Sequence, residues 1–382
     1  MRNPFVFGKE VSGENFCNRT KEIEELTRDA ENSQNVLIYS QRRYGKTSLI
    51  KEVLKRAQKK GIITVYIDLY PVTSEMQLIK IYAKAITNSF QGSLEKKINK
   101  VKSLFKRLRP TVTMNNDGTS TFSVEVSPSD TEQQLEDVIE SINAYVKKNK
   151  KSAIIVFDEF QQIGEFKTDK VEKIMRSMMQ SHKRIAYFFM GSKKHLISDM
   201  FNNPSRPFYK SSKQYPLERI SPDELLPFIK NKFKKAQKKI TDKTIRNIIS
   251  ICKCHPYYIQ YLCHILWEIT IDKETVTADD ITNSLYELLK RGSATYEATW
   301  NPLTKKQKEV LFALSSIEPN TKIYSAEVMR KYDLGSTSSA HKALGSLIDK
   351  DLVDREKDTY VINDIFFKKW IISLRLDKPS IA

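Results

Sequence analysis

Cysteine, long apolar runs and an apolar leader are all scarce in this 382-residue chain. Four cysteines in a chain of this length do not make a disulfide framework, which argues against a disulfide-stapled secreted fold and fits a reducing cytoplasm. No apolar run approaches the roughly 20 residues that cross a bilayer, so no membrane role is expected. The opening residues, from Met1 to Lys9, lack the long apolar core of a secretory signal. What is present in quantity is hydrophobic content for real cores, 40% of residues, and a length that suggests two or three domains.

Charge is lopsided: 64 Lys+Arg stand against 46 Asp+Glu, a formal net charge of +18. Such a balance favours contact with nucleic acid or another anionic surface and says nothing about fold. The densest clusters are Lys96, Lys97, Lys100, Lys102, Lys106, Arg107 and Arg109; then Lys147, Lys148, Lys150 and Lys151; then Lys230, Lys232, Lys234, Lys235, Lys238 and Lys239. Cys252, Cys254, His255, Cys263 and His264 lie close together, but the C-x-C spacing is not that of a zinc site. They read as small packing residues beside a turn.

The apolar run 36–39 breaks into a turn, Ser40 to Gly45, and then Lys46-Thr47-Ser48 opens a helix with apolar residues at helical spacing. Strand, turn and Gly-Lys-Thr are the parts of a phosphate-binding loop. Gly45 lets the backbone approach phosphate, so that the N–H groups of Arg43, Tyr44, Gly45 and the first helical turn through Ser48 point at it. Lys46 supplies charge to the β- and γ-phosphates and Thr47 a hydroxyl to Mg²⁺. The pattern G-x-x-x-x-G-K-[ST] wants Gly where this chain has Ser40.

A second apolar run, 153–157, ends in Asp158-Glu159, the form of a Walker B strand. In a parallel sheet the carboxyl end of such a strand lies where ligands bind. Asp158 is then a candidate for holding Mg²⁺ and Glu159 for orienting and deprotonating the attacking water.

Further strands are expected at 62–69 and 184–190, with helices at 76–90 and 131–147 and a helix after 20 capped by Asn18 or Thr20. Alternating strands and helices after a phosphate loop imply a three-layer α/β domain with a parallel sheet over residues 1–215. The alternation on either side of Asn116-Asp117-Gly118 reads as a hairpin insertion over about 111–127. After 216 the strands are expected to stop: helices at 221–236, 241–252, 256–272 and 277–290 make a helical lid over 216–295. From 296 to 382, helices at 303–314, 325–332 and 338–350 with a hairpin at 352–362 give a winged-helix arrangement.

With these residues in hand, the chain resembles the archaeal-type ATPase family, a P-loop group near the AAA+ and STAND ATPases, over nearly its whole length. The family's loop, Gly-Pro-Arg-Arg-x-Gly-Lys-Thr-Ser-Leu, is matched from Arg42 to Leu49 apart from its first two places. The resemblance implies that Asn18-Arg19, in an Asn-Arg-x-x-Glu box ending at Glu22, lie near the adenine. It implies that Ser192, after Gly191, reads the γ-phosphate, and that Arg206 is an arginine finger or sensor, acting on its own site or on a neighbour's in a homo-oligomer. It also implies that the lid element Cys254-His255-Pro256-Tyr257-Tyr258 closes over the base, with Cys254 where the family has Gly. ATP or ADP and Mg²⁺ are the implied ligands.

Two functions compete. One is a nucleotide-dependent switch that binds and slowly hydrolyses ATP, with an unknown protein partner; the other is a DNA-associated ATPase. The overall basicity favours DNA, but residues 296–382 hold 14 Lys+Arg against 12 Asp+Glu, too balanced for a phosphate-tracking wing. DNA contact, if it occurs, is expected through the basic clusters before residue 240.

Overall fold

The computed structural model describes residues 2–90, 103–114, 120–318, 320–356 and 358–375. The chain separates into two compact units, Asn18–Glu218 and a second made of Met1–Cys17 with Arg219–Ala382. No helix among the described residues is long and apolar enough to cross a membrane.

In chain order the first unit comprises α1 (Thr20–Glu31), β1 (Val36–Tyr39), α2 (Lys46–Lys59), β2 (Ile63–Asp68), α3 (Glu75–Ser89), β3 (Arg109–Met114), β4 (Ser120–Glu125), α4 (Thr131–Lys148), β5 (Ala153–Asp158), α5 (Lys170–Met179), β6 (Ile185–Gly191), α6 (Lys194–Asn202) and β7 (Lys213–Pro216). Five strands form one parallel sheet in the order β2-β5-β6-β1-β7. β5 and β6 are buried at every position, as helices on both faces of a parallel sheet require. Because β6 stands between β1 and β5, Gly191-Ser192 emerges between the phosphate loop and Asp158-Glu159.

Several local features depart from the sequence-based expectation. β7 carries no apolar run; it is a short edge strand with exposed residues, ending on Pro216, which an edge tolerates. Neither Asn18 nor Thr20 caps α1. The N-cap is Arg19, in the left-handed region at φ 108°, with no side-chain cap bond, while Asn18 Oδ1 accepts the Thr20 hydroxyl at 2.5 Å. The expected hairpin exists as the antiparallel pair β3–β4, but its Asn116-Asp117-Gly118 turn lies outside the described residues. So do Lys96, Lys97, Lys100 and Lys102 of the first basic cluster.

The second unit contains α7 (Pro222–Lys235), β8 (Lys239–Ile240), α8 (Asp242–Ile251), α9 (Pro256–Ile269), β9 (Thr275–Val276), α10 (Ala278–Trp300), α11 (Lys305–Ser316), α12 (Ala326–Lys331), α13 (Thr337–Asp349), β10 (Val353–Glu356), β11 (Thr359–Ile362) and α14 (Ile365–Ser373). The hydroxyls of Ser221, Thr241, Thr277, Thr304, Ser325 and Ser336 each accept an N–H of the helix that follows, which caps six helix starts. Strands do not stop at 216: β8 and β9 pair in parallel, each too short to leave a period-2 signal. α10 continues through residues 295 and 296 to Trp300. Gly292 looks like a break, but a Cβ there would lie 2.6 Å from the Tyr296 ring, so the missing side chain admits the ring. Tyr296 and Trp300 then pack against Trp370 at 5.8 and 6.1 Å, and tertiary contact overrides the weak propensity of the segment.

Residues 2–17 belong to this second unit rather than to the sheet. Phe5, 1% exposed, packs on Phe233 at 4.8 Å, and Phe7 stacks on Tyr261 at 4.2 Å. His264 bonds the Phe5 carbonyl through Nδ1 at 2.8 Å. Lys232, one of the basic cluster, is buried under this strap and donates to Pro4 O at 2.5 Å and Asn15 Oδ1 at 2.7 Å. Lys238 is buried too, its ammonium closing the end of α9 on the carbonyls of Thr270, Ile271 and Lys273. Cys252 and Cys263 are free, fully buried thiols in the same core.

Candidate functional site

The phosphate loop leaves β1 at Ser40 and returns through two left-handed residues, Arg43 at φ 65° and Gly45 at φ 83°. Gly45 is the N-cap of α2 and has no side chain with which to close the helix, so the positive end of the helix faces an incoming anion. Position 40, where the motif departs from Gly, is not left-handed, so serine fits without strain. Its oxygens are used: the buried Lys46 ammonium donates to Ser40 O at 3.1 Å, Ser40 Oγ at 3.3 Å and Gln41 O at 3.1 Å. The lysine is thereby held across the mouth of the loop. Arg43 is exposed, while Tyr44 and Ser48 are buried beneath it.

Asp158, at the end of β5, meets this helix start. Thr47 Oγ1 donates to Asp158 Oδ2 at 3.0 Å, and the Glu159 N–H donates to Oδ1 at 2.9 Å. Burial pushes the Asp158 carboxyl above its usual range, and the neighbouring charge of Glu159 pushes the same way; hydrogen bonds from Tyr66 and Thr47 and the charge of Lys46 oppose them. Tyr66, on β2, donates to the same Oδ2 at 2.5 Å. Burial foremost, and then the charge of Asp158, drives the Tyr66 phenol well above its ordinary value.

Glu159 sits beside Asp158 with its backbone left-handed, φ 52°, which turns its side chain toward the end of β6. Its Oε2 accepts Ser192 Oγ at 2.9 Å, Ser192 N at 3.4 Å and Gln161 Nε2. A Cβ on Gly191 would fall 2.6 Å from Gln161 Oε1, so glycine at the end of β6 makes room for that glutamine.

Lys46, Thr47, Asp158, Glu159 and Ser192 therefore form one connected set at the carboxyl ends of β1, β5 and β6. Three residues named from the sequence do something else. Arg206 is tied to the buried Glu172 through Nη2 at 2.6 Å, with Asp199 at 3.8 Å, away from the phosphate loop's own bonds. Arg19 is 1% exposed; its guanidinium donates to Glu22 at 2.7 Å, to Glu218 O at 2.9 Å and, more weakly, to Tyr44 O at 3.4 Å. It grips the loop from behind. Pro256 is the first residue of α9 in the other unit, preceded by Cys254 in the left-handed region at φ 58°, the conformation that glycine would adopt most readily.

Tyr66 and Gln161 are the site residues that sequence reading missed. Neither belongs to a motif. The only trace of Tyr66 is its alternation with buried Val65 and Ile67, which places it on the opposite face of β2 from them.

Comparison with known proteins bears on the same elements. Residues 16–262 match the family described as an ATPase domain predominantly from Archaea. Residues 294–373 match one described as a probable winged helix domain. No curated protein matches the chain. Among solved structures, the Walker-type ATPase PABY2304 of Pyrococcus abyssi is similar with a TM-score of 0.65 at 16% identity, over 97% of this chain and 99% of that one. The ORC2 protein of Aeropyrum pernix is similar with a TM-score of 0.56 at 12% identity in its ADPNP–ADP complexes, over 98% of both chains. In its ADP form it gives 0.52 at 13% identity, over 98% of this chain and 97% of that one. At these identities the likeness is one of fold.

Proposed function

The chain belongs to the family of ATPase domains found predominantly in Archaea, and on that premise we propose that it binds ATP with Mg²⁺ and hydrolyses it slowly, as a conformational switch. The observation that carries the reading is the bond between Thr47 and Asp158, which joins the phosphate loop to the Walker B strand at 3.0 Å. A hydroxyl and a carboxylate at a helix N-terminus make a hard-oxygen donor set of the kind Mg²⁺ takes beside phosphate. A buried carboxylate whose charge is disfavoured by its surroundings is also a group that a dication stabilises. Mg²⁺ held there would neutralise charge on the β- and γ-phosphates.

The chain's own residues divide the remaining work. The N–H groups of the loop and of the first turn of α2 cradle the phosphates, and Lys46 exchanges its loop oxygens for phosphate oxygens. Glu159 takes the proton of the attacking water, and Ser192 senses the γ-phosphate. Glu159 must first release Ser192 and Gln161 or turn its other oxygen to the water, which favours slow turnover over rapid work. Arg206, bound to Glu172, acts on nucleotide only if that pair opens.

The DNA-associated reading has less support. In the cluster 230–239, Lys232 and Lys238 are buried on backbone oxygens, and Lys230, Lys235 and Lys239 pair with Asp242, Glu14 and Glu274. The last three pairs are exposed and cost little to open, but the two buried lysines are committed to the fold. The test of the switch reading is single-turnover hydrolysis with Glu159→Gln and Lys46→Ala: the first is expected to retain ATP uncleaved and the second to bind none. Wild-type turnover in both variants would remove the site assignment.

A further inference from the structure

Tyr66 is not part of any phosphate-loop motif, yet it bonds directly to the carboxylate that ends β5. Its hydroxyl donates to Asp158 Oδ2 at 2.5 Å, the oxygen that also accepts Thr47 Oγ1 at 3.0 Å, while Oδ1 is taken by the Glu159 N–H at 2.9 Å. The register explains how it arrives there. Tyr66 lies opposite Val156 and Asp68 opposite Asp158, so Tyr66 and Asp158 are diagonal neighbours on one face of the β2–β5 pair. α2 covers that face: the Lys51 ammonium sits 4.8 Å from the centre of the Tyr66 ring, and Lys51 follows Thr47 by one turn on the same side of the helix. The ring is thus pinned from above and the phenol oxygen is aimed at a single acceptor.

The consequence is geometric. A carboxylate ordinarily turns freely about its last bond. Here side chains from β2 and α2 and the N–H of the next residue fix both oxygens of Asp158, and the Thr47 hydroxyl, by donating to Oδ2, presents its lone pairs away from the carboxylate. With Oδ2 carrying two hydroxyl donors, Asp158 is set to reach a cation through water, leaving the Thr47 oxygen as the direct ligand.

We propose that Tyr66 is the positioning residue of the cation site: it locks Asp158 in the orientation that lets Thr47 and a water shared with Asp158 hold Mg²⁺. This rests on the reading of the site as one that binds Mg·ATP. Partners that orient metal-binding groups typically contribute about 10–100-fold to metal affinity, so the loss expected on removing the phenol is about tenfold or more.

The test is Tyr66→Phe in the full chain, which keeps the ring and its contact with Lys51 and deletes one oxygen. Binding of a fluorescent ATP analogue is titrated against Mg²⁺, and separately measured in EDTA. The variant is expected to bind the analogue in EDTA as the wild type does, and to need about tenfold more Mg²⁺ to reach half of the metal-dependent gain in affinity. A merely structural role would weaken binding equally in both conditions and would overturn the proposal, as would a half-saturating Mg²⁺ equal to or below that of the wild type. A wild type whose binding of the analogue does not respond to Mg²⁺ would overturn the Mg·ATP reading itself, and the proposal with it.

Discussion

Arg19→Ala tests how firmly the phosphate loop is anchored from below. The side chain is among the most completely buried in the protein and holds three acceptors: a carboxylate at 2.7 Å and two carbonyls at 2.9 and 3.4 Å. Breaking a buried ion pair by removing one partner costs about 3–5 kcal/mol. The stranded Glu22 is a quarter exposed and rehydrates, and the longest bond contributes little, which places this case at the lower end, about 3 kcal/mol. Alanine gains nothing in return, because φ 108° suits it no better than arginine. With a urea slope of about 2 kcal/mol/M, the midpoint of the sheet unit should fall by about 1.5 M. The assay separates the units cleanly: Trp267, Trp300 and Trp370 all lie in the unit containing Arg219–Ala382, so tryptophan fluorescence reports that unit alone while far-ultraviolet circular dichroism reports both. The shift should appear in the dichroism component that fluorescence does not share. A destabilisation below about 1 kcal/mol, the range of an exposed pair, would refute the anchoring role.

Two pH effects follow from burial. Desolvation lowers the Lys232 ammonium to about 8. The unfolded chain, with its lysine near 10.5, then binds more protons than the folded one between those values, so fluorescence-monitored stability should rise from pH 8 toward 10.5, and Lys232→Met should flatten that rise. His182 is lowered below 6.5, chiefly by burial, and bonds Tyr187 at 2.6 Å and Glu140 at 3.2 Å. Its contribution is present above 6.5 and is lost as pH falls below it, so the urea midpoints of wild type and His182→Gln should converge as pH falls below 6.5.

The parts of the fold that were legible in the sequence are those where burial writes a pattern. β5 and β6 are covered on both faces, so up to Asp158 and Gly191 the positions are apolar or aromatic and the run is unmistakable. Lys46, Thr47, Asp158 and Glu159 stood out in the sequence as parts of two motifs, and the bond from Thr47 to Asp158 brings those motifs together. What escaped notice depends on partners distant in the chain. β7 is held by its bonds to β1 rather than by apolar content, and α10 reaches Trp300 because Tyr296 fills the place of a side chain at Gly292. Lys232 and Lys238 stand in the sequence as members of a basic cluster, and only the docking of residues 2–17 and the end of α9 shows them buried on carbonyls. Arg19 carries the signature of a ligand-binding box, yet its guanidinium serves the protein. Tyr66 needed the register of β2 against β5 before its hydroxyl could be placed.

The central claim is that one phosphate site per chain, built on Lys46 and the Thr47–Asp158 pair, binds ATP with a divalent cation. Calorimetric titration of the full chain with ATP in Mg²⁺ tests it most directly. The account expects saturable binding of one nucleotide per chain, weakened in EDTA and abolished by Lys46→Ala. Wild-type protein that shows no saturable binding, or a Lys46→Ala variant that binds as tightly as wild type, would contradict it.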